Sequence, residues 1–267
     1  MVSASVGFQC PECVQEGTKS QREARTTFGG TIRVRDGLVT SILIGICVVA
    51  WLLELALPQF EIRFEMFPLA VSQGQWYRLI TAGFLHGSWL HILFNMWALW
   101  VVGRPLEAML GRARYIGLYG ASLLAGSTAA YLLDPIGQAS VGASGAIFGL
   151  FGALLIVYRR LNLNLGPILA LVGINAVFTF VVPNIDWHAH VGGFIGGLIV
   201  TAAAVYPPRK YWPVSASIGV AAVVLLCGLA IVVRTHTIQQ DIVVINQGNQ
   251  GNQGGSSQPP DTGRPFP

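Results

Sequence analysis

The sequence predicts an all-α protein: a polytopic membrane helix bundle of seven spans. Three observations carry that expectation. Of the 267 residues, 53% are hydrophobic and only 10% are charged, whereas soluble domains carry about 25% charged residues. Mean hydropathy is +0.58. Apolar runs recur at 39–57, 90–102, 115–133, 145–158, 168–182, 191–205 and 214–233, and their flanks extend the short ones toward the ~20 residues a spanning helix needs.

Residues 1–38 are polar and contain Cys10-Pro11-Glu12-Cys13. Two thiolates at this spacing suit zinc, but a structural site takes four ligands and no other Cys or His lies in the segment. Cys10 and Cys13 are therefore half of a metal site or an inert turn. Cys47 and Cys227 fall in apolar spans and read as small buried hydrophobes. The first span follows an Arg-containing stretch without a small-residue cleavage site, so it is expected to stay as an anchor.

The loop at 58–89 is long for a bundle and rich in aromatics, with Trp76-Tyr77-Arg78 near its middle. Trp and Arg at such a place anchor a chain in the lipid interface. His86 closes the loop, and His91 and Asn95 follow at the start of span two, four apart and so on one helix face. Both side chains can donate hydrogen bonds into one pocket, or can satisfy each other within the bundle.

Span three is plain apolar helix. Span four opens with Gly142-Ala143-Ser144-Gly145 and continues through Gly149 and Gly152, and span six carries Gly192, Gly193, Gly196 and Gly197. Small residues four apart let helix backbones approach closely in lipid. Spans four and six are thus natural neighbours, and their packing would bring Ser144 and His190 within a hydrogen bond of ~3 Å. Ser144 is then either an interhelical hydrogen-bonder or a nucleophile. Residues two apart on a helix point ~200° apart, so His188 and His190 cannot both face Ser144. His190 shares the face of Gly193 and Gly197, which leaves His188 as an expected solvated loop residue.

Span five ends in Phe178-Thr179-Phe180, and the loop after it holds Pro183, Asn184, Asp186 and Trp187, which could cap the site. Glu54, the one acidic residue within the apolar runs, reads as bundle-facing or interfacial. Span seven is uniformly apolar and structural, with His236 a solvated flank, and the Gln/Gly/Asn-rich tail from 246 is expected to be disordered. The chain divides into an N-terminal segment 1–38, a core 39–206, the seventh span 207–235 and a tail 236–267.

Twelve of the 16 Lys and Arg precede span one, separate spans two and three, or follow spans four and six. The positive-inside rule then places the N-terminus in the cytoplasm and the C-terminus outside. Spans two, four and six consequently begin at one membrane face, which puts His91, Ser144 and His190 at one depth. The basic residues sit at loop ends and form no basic stripe, so nucleic acid is not an expected partner.

Together these residues resemble the rhomboid family of intramembrane serine proteases. The matching motifs are Trp76-x-Arg78, His86-x4-His91-x3-Asn95, Gly142-x-Ser144-Gly145 and Ala189-His190-x2-Gly193-x3-Gly197, which cover spans one to six. The seventh span is similar to the six-plus-one arrangement of some members, and the Cys-containing N-terminus and Gly/Ala-rich helices look like actinobacterial ones. The resemblance implies a Ser144–His190 dyad, with His91, Asn95 and the Ser144 N–H forming an oxyanion hole. It implies that His86, Trp76 and Arg78 shape the first loop, and that span five and the loop after it gate access. Phe148 stands where members often have a Tyr stacked on the base, so stacking is kept and a hydroxyl is lost. Single-pass transmembrane proteins in the bilayer of the cell membrane are the implied substrates, and no cofactor is implied. Two other readings use the same residues: a catalytically silent adaptor, and a small transporter, which would need polar groups through the full depth of the bundle.

Overall fold

A computed structural model describes residues 2–3, 8–12, 15, 28, 37–181 and 185–254, and a helix accounts for each predicted span. Helix α1 is Leu38–Ala56. Three short helices, α2 (Phe60–Phe64), α3 (Pro68–Ser72) and α4 (Arg78–Thr81), fold the first loop. Then come α5 (Trp89–Leu110), α6 (Arg112–Leu133), α7 (Ser144–Arg160), α8 (Gly166–Val181), α9 (Trp187–Val205) and α10 (Trp212–Gly254). Helices α1, α6, α9 and the Val214–Ile245 part of α10 are each long and apolar enough to cross a membrane. Large apolar side chains such as Leu55, Phe180 and Leu225 are exposed on the outside of the bundle, where only lipid makes such exposure favourable. The chain is a multi-pass membrane protein. Among the described residues, strand pairing is limited to Val2–Ser3 with Phe8–Gln9 and a single bridge between Met66 and Ser140.

Helix α9 lies at the centre, packed on α6 and α7 and flanked by α10. Its glycines make this possible. A Cβ placed at Gly193 would overlap the Gly145 carbonyl, and one at Gly197 would overlap that of Gly149. On the other side Gly192 and Gly196 lie against Ala125 and Ala129 of α6, and Gly126 of α6 meets the Ala189 carbonyl. Backbone rests on backbone on both faces of α9, which is how helices associate where no hydrophobic force drives them together.

The structure departs from the sequence reading in two places. Helix α5 continues through Pro105 to Leu110 and so takes Glu107 inside the bundle. Glu107 accepts hydrogen bonds from the Val39 and Thr40 N–H groups and the Thr40 hydroxyl. It thereby satisfies orphan donors at the start of α1, which a helix terminus buried in lipid cannot leave open. Second, α10 runs to Gly254, through residues expected to form a disordered tail. Ile238 is fully buried there, and the Gln239 side-chain amide donates to the Ser72 carbonyl. The part of α10 around Ile238 and Gln239 therefore docks against the first loop, with His236 on its exposed face. Cys10 is exposed, and Cys13 lies outside the described residues.

Replacement of Gly193 by Ala is expected to lower bundle stability by roughly 1–3 kcal/mol, the usual range for overpacking. Gly120→Ala on α6, where a Cβ would meet nothing within 4 Å, is expected to be neutral or slightly stabilising. Thermal unfolding of both variants in one detergent checks the contrast.

Candidate active site

Helices α5, α7 and α9 all begin at one end of the bundle, and the polar residues of their first turns converge there. Ser144 is the first residue of α7, and no side chain caps that helix. Its leading N–H groups therefore lie open at the mouth of the site. Ser144 Oγ lies 2.8 Å from His190 Nε2 on α9. The imidazole is buried, and Phe148 stacks on it with centroids 4.0 Å apart and planes 11° from parallel.

The other ring nitrogen has a partner that sequence reasoning did not assign. His190 Nδ1 lies 2.8 Å from Thr179 Oγ1 on α8, and that hydroxyl donates to the Asn175 carbonyl at 2.8 Å. With its hydrogen committed, Thr179 accepts from Nδ1–H. The tautomer this selects leaves Nε2 free of hydrogen and able to take the Ser144 proton. The signal in the sequence was small: one hydroxyl residue between Phe178 and Phe180, at the dyad's end of span five.

Gly142 holds a positive φ of 134° and donates its N–H to the Ala82 carbonyl. A Cβ here would meet the His91 ring at 2.8 Å and Ser144 Oγ at 3.5 Å. Glycine thus lets the His91 imidazole lie against the backbone beside the nucleophile. Asn95, buried one turn further along α5, donates from Nδ2 to the His91 carbonyl at 2.9 Å. That uses one of its two amide hydrogens. Gly145 faces the Ala189 carbonyl, so it serves the contact between α7 and α9.

His86 packs edge-on against His91, with ring centroids 5.1 Å apart. Burial, then the neighbouring His91, push the His86 imidazole down to about 3, so it is neutral. Neither of its ring nitrogens has a partner among the described residues. Its backbone N–H donates to the Glu54 carboxylate at 3.2 Å, which gives Glu54 a bundle-facing role in tying α1 to the loop. Arg78 is buried and staples that loop: Nη1 donates to the Ile62 and Glu65 carbonyls, both at 2.8 Å, and Nε to the Gln75 side chain at 2.7 Å. Trp76 is exposed.

His188 is not the solvated loop residue that its spacing suggested. It sits in the first turn of α9, with Nδ1 2.6 Å from Asp134 Oδ1 at the C-terminal end of α6. Asp186 caps α9 by accepting from the Ala189 N–H, and its other oxygen accepts from the Ser140 hydroxyl at 2.6 Å. Burial, then the nearby Asp186, push the Asp134 carboxyl up to about 6. Pro183 and Asn184 lie outside the described residues.

Comparison with known proteins identifies the family. The Rhomboid domain family matches residues 73–207. The rhomboid protease GluP of Bacillus subtilis is 41% identical over 145 residues, 51% of this chain and 28% of its own length. YdcA of the same organism is 35% identical over 149 residues, which are 54% of this chain and 75% of YdcA. Rhomboid-type serine protease 2 of Emericella nidulans is 32% identical over 144 residues, 52% of this chain and 29% of that protein. The matched stretch thus spans less than a third of two of these relatives and three quarters of the third. The family match at 73–207 holds every residue of the constellation around Ser144 except Glu54 on α1, and the chain belongs to the rhomboid family.

Proposed function

We propose that the chain is an intramembrane serine endopeptidase that cleaves single-pass membrane proteins within or beside their transmembrane helix. The observation that carries this reading is the 2.8 Å approach of Ser144 Oγ to His190 Nε2. A serine hydroxyl attacks a carbonyl only when a base removes its proton as the bond forms. His190 Nε2 takes that proton and returns it to the departing amine, and water then releases the acyl group from Ser144 by the same proton shuttle. The Ser144 N–H and the His91 and Asn95 side chains stabilise the oxyanion, with Asn95 turning its amide from its own helix to the developing charge. Such donors typically give ~10²–10³-fold in rate each. Phe148 and Thr179 orient the imidazole in place of a triad carboxylate.

The enclosure of Ser144 between helices favours substrates already in the bilayer, and a substrate helix that unwinds readily near the cut is favoured over a stable one. The basic loop ends support an orientation with the N-terminus in the cytoplasm, the dyad near the outer face of the cell membrane and the C-terminus outside.

The test is cleavage of a single-span substrate with a helix-destabilised segment, by purified protein in proteoliposomes. Wild type is expected to cut, and Ser144→Ala and His190→Ala to lose at least about 10³-fold. A folded but inactive wild type that binds such substrates would favour the adaptor reading instead. Asn95→Ala is expected to lower turnover by about 10²–10³-fold without changing the melting temperature, and wild-type turnover in that variant removes Asn95 from the oxyanion hole. Thr179→Val is expected to lower turnover by roughly tenfold, the equivalent of one neutral hydrogen bond, with Thr179→Ser restoring it.

A further inference from the structure

Beside the dyad, at the same end of the bundle, Asp134, Asp186 and His188 form a second cluster that the proposed proteolysis does not use. One donor atom from each lies within 4.8 Å of the other two. They come from distant parts of the chain, Asp134 from the end of α6 and the other two from the start of α9. The cluster is graded in depth: side-chain exposure is 2% at Asp134, 11% at Asp186 and 20% at His188, so it opens outward through the imidazole.

The protein groups leave this cluster incompletely neutralised. His188 Nδ1 serves Asp134 Oδ1 at 2.6 Å and stands 3.9 Å from Asp186 Oδ1. Asp186 spends its oxygens on the Ala189 N–H and the Ser140 hydroxyl. Asp134 Oδ2 is buried and has no hydrogen-bond donor among the described residues. Two carboxyls thus face each other with one imidazole between them, and a buried carboxylate oxygen is left without the partner that burial normally demands.

We propose that Asp134, Asp186 and His188 bind a divalent transition-metal cation that braces the end of α6 to the start of α9. Two carboxylates and a neutral imidazole present two negative charges and an O, O, N donor set, which suits Mn²⁺ or Zn²⁺ better than the all-oxygen preference of Ca²⁺ or Mg²⁺. Bonds near 2.1 Å in tetrahedral geometry place donor atoms about 3.4 Å apart. The His188–Asp186 separation is already close to that, and the His188–Asp134 pair opens by less than an ångström. The cation replaces the hydrogen between His188 Nδ1 and Asp134. In a neutral imidazole that hydrogen moves to Nε2, and from an imidazolium one proton passes to solvent. Ser140 keeps its bond to Asp186 and holds that carboxylate in orientation, as outer partners of metal ligands do. The brace lies two residues before His190, so the ion would stiffen the start of the helix that carries the base.

The experiment is titration of the purified full chain with Mn²⁺, following the free-ion paramagnetic resonance signal, in a Cys10→Ser/Cys13→Ser background that removes the other candidate ligands. One ion per chain is expected to bind saturably, to be displaced by Zn²⁺ but not by equal Mg²⁺, and to raise the melting temperature. Asp134→Asn and His188→Gln, each with a helical spectrum matching the parent, are expected to weaken binding at least tenfold. No saturable Mn²⁺ or Zn²⁺ binding to the parent protein overturns the proposal, and so does unchanged binding in the two folded variants. Neither readout depends on proteolysis, so failure here leaves the protease reading untouched.

Discussion

Everything at the site depends on how closely α7 and α9 approach. The Ser144–His190 hydrogen bond spans two helices and has no covalent support, and a hydrogen bond weakens within a few tenths of an ångström. The helix separation is fixed by Gly193 against the Gly145 carbonyl and Gly197 against that of Gly149. Bundle packing and catalytic geometry are therefore one property. A change that thickens this seam by a methyl group acts on the nucleophile even when it lies two turns away.

The base is held without a carboxylate. Asp186 is the nearest acid on its own helix, and its oxygens are committed to the α9 N-terminus and to Ser140. Orientation comes instead from the Phe148 ring on one face and the Thr179 hydroxyl at Nδ1. A neutral partner suits a site inside a membrane, because an unpaired carboxylate there is costly whenever the imidazole is uncharged. Buried Glu107 is handled by backbone donors at the start of α1, and half-buried Glu54 accepts from the His86 N–H.

The helices and the dyad could be read from the sequence because their signals are periodic or unique: long apolar runs, glycines four apart, and a serine and a histidine at the starts of two glycine-faced helices. The extra length of α10 could not, since its Gln/Gly/Asn composition suggests a coil and the helix is held by Ile238 and Gln239 docking on a remote loop. Glu107 escaped because Arg104 and Pro105 mark an apparent span end, whereas the helix continues in order to cap α1. His188 was misplaced for a similar reason. Spacing shows that it cannot face Ser144, but not that Asp134, 54 residues away, comes to meet it. Thr179 was visible as a residue and silent as a role, because a tautomer is set by a contact that no local pattern encodes.

Thr179 sits on α8, the least embedded of the core helices. Its main packing partner is α7, its outward residues Ile174, Val177, Phe180 and Val181 are bare, and Phe178 meets Phe94 of α5 with ring centroids 6.4 Å apart. Any outward displacement of α8 would draw the Thr179 hydroxyl away from His190 Nδ1 and release the constraint on the tautomer of the ring. In the proposed protease, one helix would then serve both as an outer wall of the site and as the fixture that keeps His190 ready to accept the Ser144 proton.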